Sequence, residues 1–176
     1  MTTKTLSCPL PENLNPLSPN GFMFSVERIP EVQYFCQTVD LPEISFANNT
    51  IATPFVDYPL PGEKLQFGNL NVEFLVDSTF ANYTALFNWM QGLGFPESWD
   101  QYRAEVAKDK FPVRSEPALS DASLSILNAS NNTAKVITFK DCFPINLGSI
   151  TFTSNTQDVQ YIVGKATFLY STYSLA

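Results

Sequence analysis

The sequence predicts a mainly β protein: an antiparallel β-barrel or sandwich of about seven to eight strands with one flanking α-helix. Three observations carry that prediction. Short runs of alternating apolar and polar residues recur along the chain, as in residues 22–27 and 70–76. Proline, glycine and asparagine clusters separate these runs at short intervals. One stretch, residues 80–90, clearly repeats its apolar positions at helical spacing instead.

The elements follow in order. Residues 1–20 hold Pro9, Pro11, Pro16 and Pro19, which forbid a helix or a central strand, so this segment is expected as an extended arm. A domain spanning 21–176 follows. Phe22, Phe24 and Val26 alternate with Met23, Ser25 and Glu27 in a first strand. Ile29-Pro30-Glu31 then turns the chain into a second strand at 32–39, and the two are expected to pair as a hairpin.

Residues 43–69 break the pattern. Prolines at 54, 59 and 61 exclude a central strand, yet Phe55, Val56, Tyr58 and Leu60 are too apolar for a solvated loop. An arm that packs on a partner satisfies both facts. A strand at 70–76 follows, and Asp77-Ser78-Thr79 supplies short oxygen-bearing side chains to cap a helix. Phe80, Tyr83, Phe87 and Met90 define that helix's expected apolar face, with Gly92 and Gly94 at its exit. Phe87-Asn88-Trp89 could form a ligand platform, but core packing is the simpler role at this spacing.

The segment 94–120 reads as an insertion, with a weaker helix at 97–108 presenting Trp99, Tyr102 and Val106. Residues 122–127 and 135–139 flank the polar run NASNNTA as a hairpin. Pro144 and Gly148 are expected to break the chain before a short strand at 150–153. After the turn SNTQD, a long strand at 159–175 closes the chain, with a bulge at Gly164-Lys165.

Composition narrows the function. A chain of 176 residues can bury about 70% of its unfolded surface. Charged residues make up 15%, against a usual value of about 25%, which suits a surface covered by neighbours. The net charge is −7, and ten Lys and Arg scattered singly form no basic patch for sequence-specific DNA binding. No stretch has the roughly 18 apolar residues of a membrane span. The four Asn-x-Ser/Thr matches at Asn48, Asn82, Asn128 and Asn131 are read as chance, since no signal peptide precedes them. Cys8, Cys36 and Cys142 are too few and too distant for a disulfide scaffold or a CxxC metal site, consistent with assembly in a reducing cytoplasm.

The chain contains no histidine, which removes Ser-His-Asp and Cys-His catalysis and His metal sites. Cys36 has no identifiable base, and among 17 acidic residues nothing singles out a catalytic pair. No P-loop or EF-hand pattern is present. No catalytic residue, cofactor or metal is therefore expected.

Three blocks resemble the tail tube proteins of T4-like contractile-tailed bacteriophages. Tyr34-Phe35-Cys36-Gln37 leads into Leu41-Pro42; residues 69–89 join a strand, a polar cap and a helix closing on Phe87-x-Trp89; and residues 139–170 carry Phe143-Pro144 and Asn146-Leu147-Gly148. The blocks keep their order across residues 20–170. The resemblance implies a tube-like barrel, six copies in a ring, inner strands paired across subunits around a channel, and rings stacked through the loop after Leu-Pro. Sheath, baseplate or tape-measure proteins are the implied partners, in a virion tail assembled in the host cytoplasm. Six copies of a −7 chain carry about −42, a field that repels phosphate and lets DNA slide without specific binding. Phe46, Ile51, Pro54, Phe55, Val56, Tyr58 and Leu60 are the expected subunit or ring contacts. The proline-rich start, the insertion and the final STYSLA depart from the usual tube subunit, so a baseplate hub or tail-end component is an alternative. A secreted ligand-binding β-barrel is a more distant one.

Overall fold

A computed structural model describes residues 16–94, 96–107, 119–155 and 161–176. The expected N-terminal arm lies mostly outside these residues, as do most of the turn SNTQD and part of the insertion. Nine strands are present among the described residues: β1 (Phe22–Val26), β2 (Cys36–Asp40), β3 (Ile44–Ile51), β4 (Tyr58–Phe67), β5 (Leu70–Leu75), β6 (Ser120–Leu127), β7 (Thr133–Leu147), β8 (Val163–Leu169) and β9 (Thr172–Leu175). Two α-helices, α1 (Ala81–Gly94) and α2 (Trp99–Ala107), lie between β5 and β6.

The fold is mainly antiparallel β, as the sequence predicts. The main sheet is seven-stranded in the order β1-β6-β7-β8-β5-β2, with β9 also paired to β7. Strand β7 runs for 15 residues and joins its two halves. Its first half pairs with β6 and β9, and its second half pairs with β8. The bend between them is at Asp141, whose φ of 55° is in the left-handed region. The Asp141 amide donates to the Asp121 carboxylate over 3.2 Å, and Ser171 Oγ donates to the Asp141 carboxylate over 2.7 Å. The sheet curls around its core but stays open: among the described residues, no ladder joins β1 to β2.

That core is made by the inward residues of each strand. Phe24, Val72, Phe74, Ile137, Phe139 and Phe168 are all buried. Each such side chain contributes about 1.5–3 kcal/mol by leaving water. Helix α1 lays Leu86 and Trp89 over them, with the Trp89 ring 6.2 Å from that of Phe168.

Several expectations are corrected. Residues 30–35 form a 3-10 helix, not the start of a strand. Pro30 at its first turn has a fixed φ and no N–H to offer a ladder. The expected first hairpin is therefore absent; β1 pairs with β6 and β2 with β5. Residues 150–153 are not a strand, because β7 continues through Pro144, which lies buried at a register shift with Asn146. The long final strand is two, β8 and β9, which part at residues 170–171. No bulge occurs at Gly164: it pairs in register with Phe74, where a Cβ would come within 2.8 Å of the phenyl ring. Close packing explains that glycine.

The face of α1 also differs from expectation. Asn82, Leu86 and Trp89 point inward, while Phe87 is 52% exposed. Asn82 sets this rotation. Its Oδ1 accepts from the Asp77 and Tyr83 amides (3.2 and 2.8 Å), and its Nδ2 donates to the Leu75 carbonyl (2.7 Å). Buried and held by three hydrogen bonds, Asn82 ties the helix start to the end of β5. Thr79 donates to the Asp77 carboxylate, which holds that group below the usual carboxylate range.

Candidate assembly surfaces

Residues 43–69 leave the main sheet after β2 and fold as a hairpin of their own. Among the described residues, strands β3 and β4 pair only with each other, from Ile44↔Phe67 at the root to Ile51↔Tyr58 near the tip. The sequence excluded a central strand here, and β4 is not one: Pro59 and Pro61 are accommodated in a strand with one free edge. Gly62 makes this possible, since a Cβ there would meet the Ala47 carbonyl oxygen at 2.3 Å, beside the register shift between Phe46 and Asn48.

All seven predicted contact residues lie on this hairpin or its tip and are exposed. Phe46, Ile51, Val56, Tyr58 and Leu60 are open to solvent, Pro54 is exposed, and Phe55 at the tip is 96% exposed. At the tip, Thr53 donates to the Val56 carbonyl. Ile44 and Leu65, which are not among those seven, are exposed too. The alternating register places Ile44, Phe46, Leu65 and Phe67 on one face. An isolated two-stranded hairpin is marginal in water, and this one carries large apolar side chains without a covering layer.

The root of the hairpin is anchored. The Gly68 amide donates to the Glu43 carbonyl over 2.9 Å, and Tyr170 Oη donates to the Gly68 carbonyl over 3.0 Å. Phe67 packs between Tyr170 and Tyr173, with ring centroids 6.1 and 5.5 Å apart, and Phe139 lies against both tyrosines. Burial pushes the Tyr170 phenol up to about 12. The closing STYSLA thus buttresses the arm.

A second surface is the four-stranded ribbon β2-β5-β8-β7. Its two long margins are the outer edge of β2 and the outer edge of residues 143–147, and among the described residues neither is paired with another strand. Its inner face is the core. Its outer face is polar over two rows: Asp40, Asn71, Thr167 and Asn146 share one across all four strands, and Thr38, Glu73 and Lys165 share the next, with Leu75 and Val163 beyond them at one end and Leu169 at the other. Lys165 Nζ lies 2.5 Å from Glu73, and Thr167 Oγ1 donates to Asn71 over 3.2 Å. The period-two pattern was visible at 70–76, but the rows exist only once the register is known.

Among the described residues, no three His, Cys, Asp or Glu side chains come together to hold a metal ion. Burial pushes the Cys36 thiol up to about 11, and burial with the Asp121 carboxylate pushes Cys142 up to about 12, so both stay protonated at neutral pH and are poor nucleophiles.

A protein whose notable surfaces are two free strand edges and an uncovered apolar arm is suited to assembly. The family model described as phage tail tube protein matches residues 10–176. The chain belongs to the phage tail tube family. That family is structural and not enzymatic. This tail tube protein matches no curated protein sequence. Solved structures share its fold. The tube-terminating cap of the anti-feeding prophage aligns with a TM-score of 0.64 at 13% identity, over 99% of both chains. A chain of the sheath–tube complex of the extracellular contractile injection system PVC, in its extended state, aligns at 0.61 and 18% identity, over 92% of this tail tube protein and 91% of that chain. The sheath/tube terminator of the same system aligns at 0.62 and 18%, over 92% and 97%.

Proposed function

We propose that this tail tube protein forms rings of six about a channel, that the rings stack, and that DNA leaves the particle through that channel. One observation carries the reading: the β3–β4 hairpin projects Phe46, Ile51, Phe55, Val56, Tyr58 and Leu60 into solvent, on an arm too small to be stable alone. Those side chains, with Pro54, seat on the neighbouring subunit or ring. The free margins of the ribbon support the same arrangement, since strand edges invite pairing and a closed ring removes every one of them. The β2 edge of one copy pairs with the 143–147 edge of the next, a head-to-tail contact that closes on itself. Sheath and baseplate proteins are the outer partners, in the tail of a virion or phage-like particle.

Electron microscopy and mass measurement of the purified full chain test this. Rings and short stacks that grow with concentration are expected; monomers at every concentration would overturn it. A second reading places the protein at the end of the tube, in one or two rings. Alignment over 99% of both chains with a tube-terminating cap favours it, as does the insertion that carries α2. Copy number per particle separates the two: six or twelve copies for an end position, many dozens for the main tube.

A further inference from the structure

In a ring built from ribbons paired edge to edge, one face of the ribbon must point at the axis. Six four-stranded ribbons make a barrel of 24 strands, roughly 37 Å across at the backbone before strand tilt widens it. The inner face of each ribbon carries the rest of the molecule: the core, β1, β6, and α1 with Trp89 against Phe168. Six such bodies cannot fit inside that barrel. They lie outside it, and the polar face is turned to the axis.

We propose that the face carrying Thr38, Asp40, Asn71, Glu73, Lys165 and Thr167 is the channel wall, and that DNA slides past it because the wall is polar and nearly neutral. This rests on the ring reading above. Among the described residues, Asp40 and Glu73 are the acidic groups in these rows, and Lys165 pairs with Glu73. Asp40, Glu73 and Lys165 leave about −1 per copy and about −6 per ring of six, a small part of the −42 that the whole chains carry. The other groups in these two rows are hydroxyls and amides, Thr167 and Asn71 already satisfy one another, and the residues that continue the face, Leu75, Val163 and Leu169, are uncharged. Such a wall offers no cationic group to hold phosphate, apart from a lysine already engaged, and little charge to repel it.

The test uses the full chain with Cys8→Ser and Thr167→Cys, assembled into rings, and three thiol reagents. A bulky polyethylene-glycol maleimide should label position 167 in dispersed copies and fail to do so in rings, while small reagents label both. Two methanethiosulfonates of similar size and opposite charge then read the local field. Their rates in rings should agree within about tenfold, against roughly a hundredfold or more in favour of the cation if the acidic excess lined the channel. Adding Lys165→Glu should widen the ratio. Rings whose position 167 remains open to the bulky reagent, or whose rates differ a hundredfold, overturn the proposal while leaving the ring intact. If no rings form, the ring reading fails, and the wall with it.

Discussion

The phenol of Tyr170 donates to the carbonyl of Gly68 over 3.0 Å, so the residue after β8 holds the root of the arm at a point 102 residues earlier in the chain. This bond and the rings around it set where the arm points. Removing the hydroxyl with Tyr170→Phe keeps the packing on Phe67 and Phe139 but leaves the Gly68 carbonyl without this donor. The expected cost is about 1 kcal/mol, or about 2–4 °C in the melting temperature of a chain of this size. Thermal unfolding followed by circular dichroism measures it, and an unchanged midpoint would remove the bond from the account of the arm.

Alkaline pH should destabilise the fold. Tyr170 at about 12, Cys142 at about 12 and Cys36 at about 11 all stand above their ordinary values of 10.0 and 9.0. The unfolded chain therefore loses these protons first, and stability present below pH 9 is lost as pH rises through 12. Urea midpoints taken between pH 8 and pH 11.5 should fall monotonically, and less steeply in Tyr170→Phe. A flat profile would mean that these groups are solvated.

Deleting residues 47–62 should leave a folded sheet, because β3 and β4 pair with no strand of the core. Circular dichroism should keep its β signal while stacked assemblies disappear from micrographs. Normal polymerisation of the shortened chain would remove the arm from its role. The milder pair Phe55→Ser and Val56→Ser, both at the exposed tip, should stay within about 0.5 kcal/mol of the parent in stability and still weaken assembly.

Gly164→Ala should cost about 1–3 kcal/mol, since its methyl would press on the buried Phe74 ring. Trp89→Ala should cost about 3–5 kcal/mol, because Trp89 fills the space between α1 and Phe168. Denaturant titration reports both. A neutral Trp89→Ala would mean that α1 is not part of the core.

Reversing Asp40 and Glu73 to lysine would give the proposed wall a net positive charge facing phosphate. Particles carrying both changes should assemble and release DNA more slowly, with the delay relieved by salt. Release at the parental rate would argue against this face as the wall.

The sequence by itself determined the class of the protein and marked the segment that projects from its sheet. Alternation in 22–26 and 70–75, the helix at 81–94, the NASNNTA turn and the lack of histidine are local facts, and each survives in the structure. The apolar, proline-marked 43–69 could be read as an arm for the same reason: burial demand and backbone restriction are properties of the residues themselves. What the tertiary structure decided is non-local. Only the fold shows that β1 pairs with β6, that Asn82 turns Phe87 outward, and that Gly164 is there for Phe74. The polar rows on the ribbon exist only because four distant segments lie in register. A pattern of period two says that a strand has two faces; which neighbour it takes, and which face is buried, depends on contacts between segments far apart in the chain.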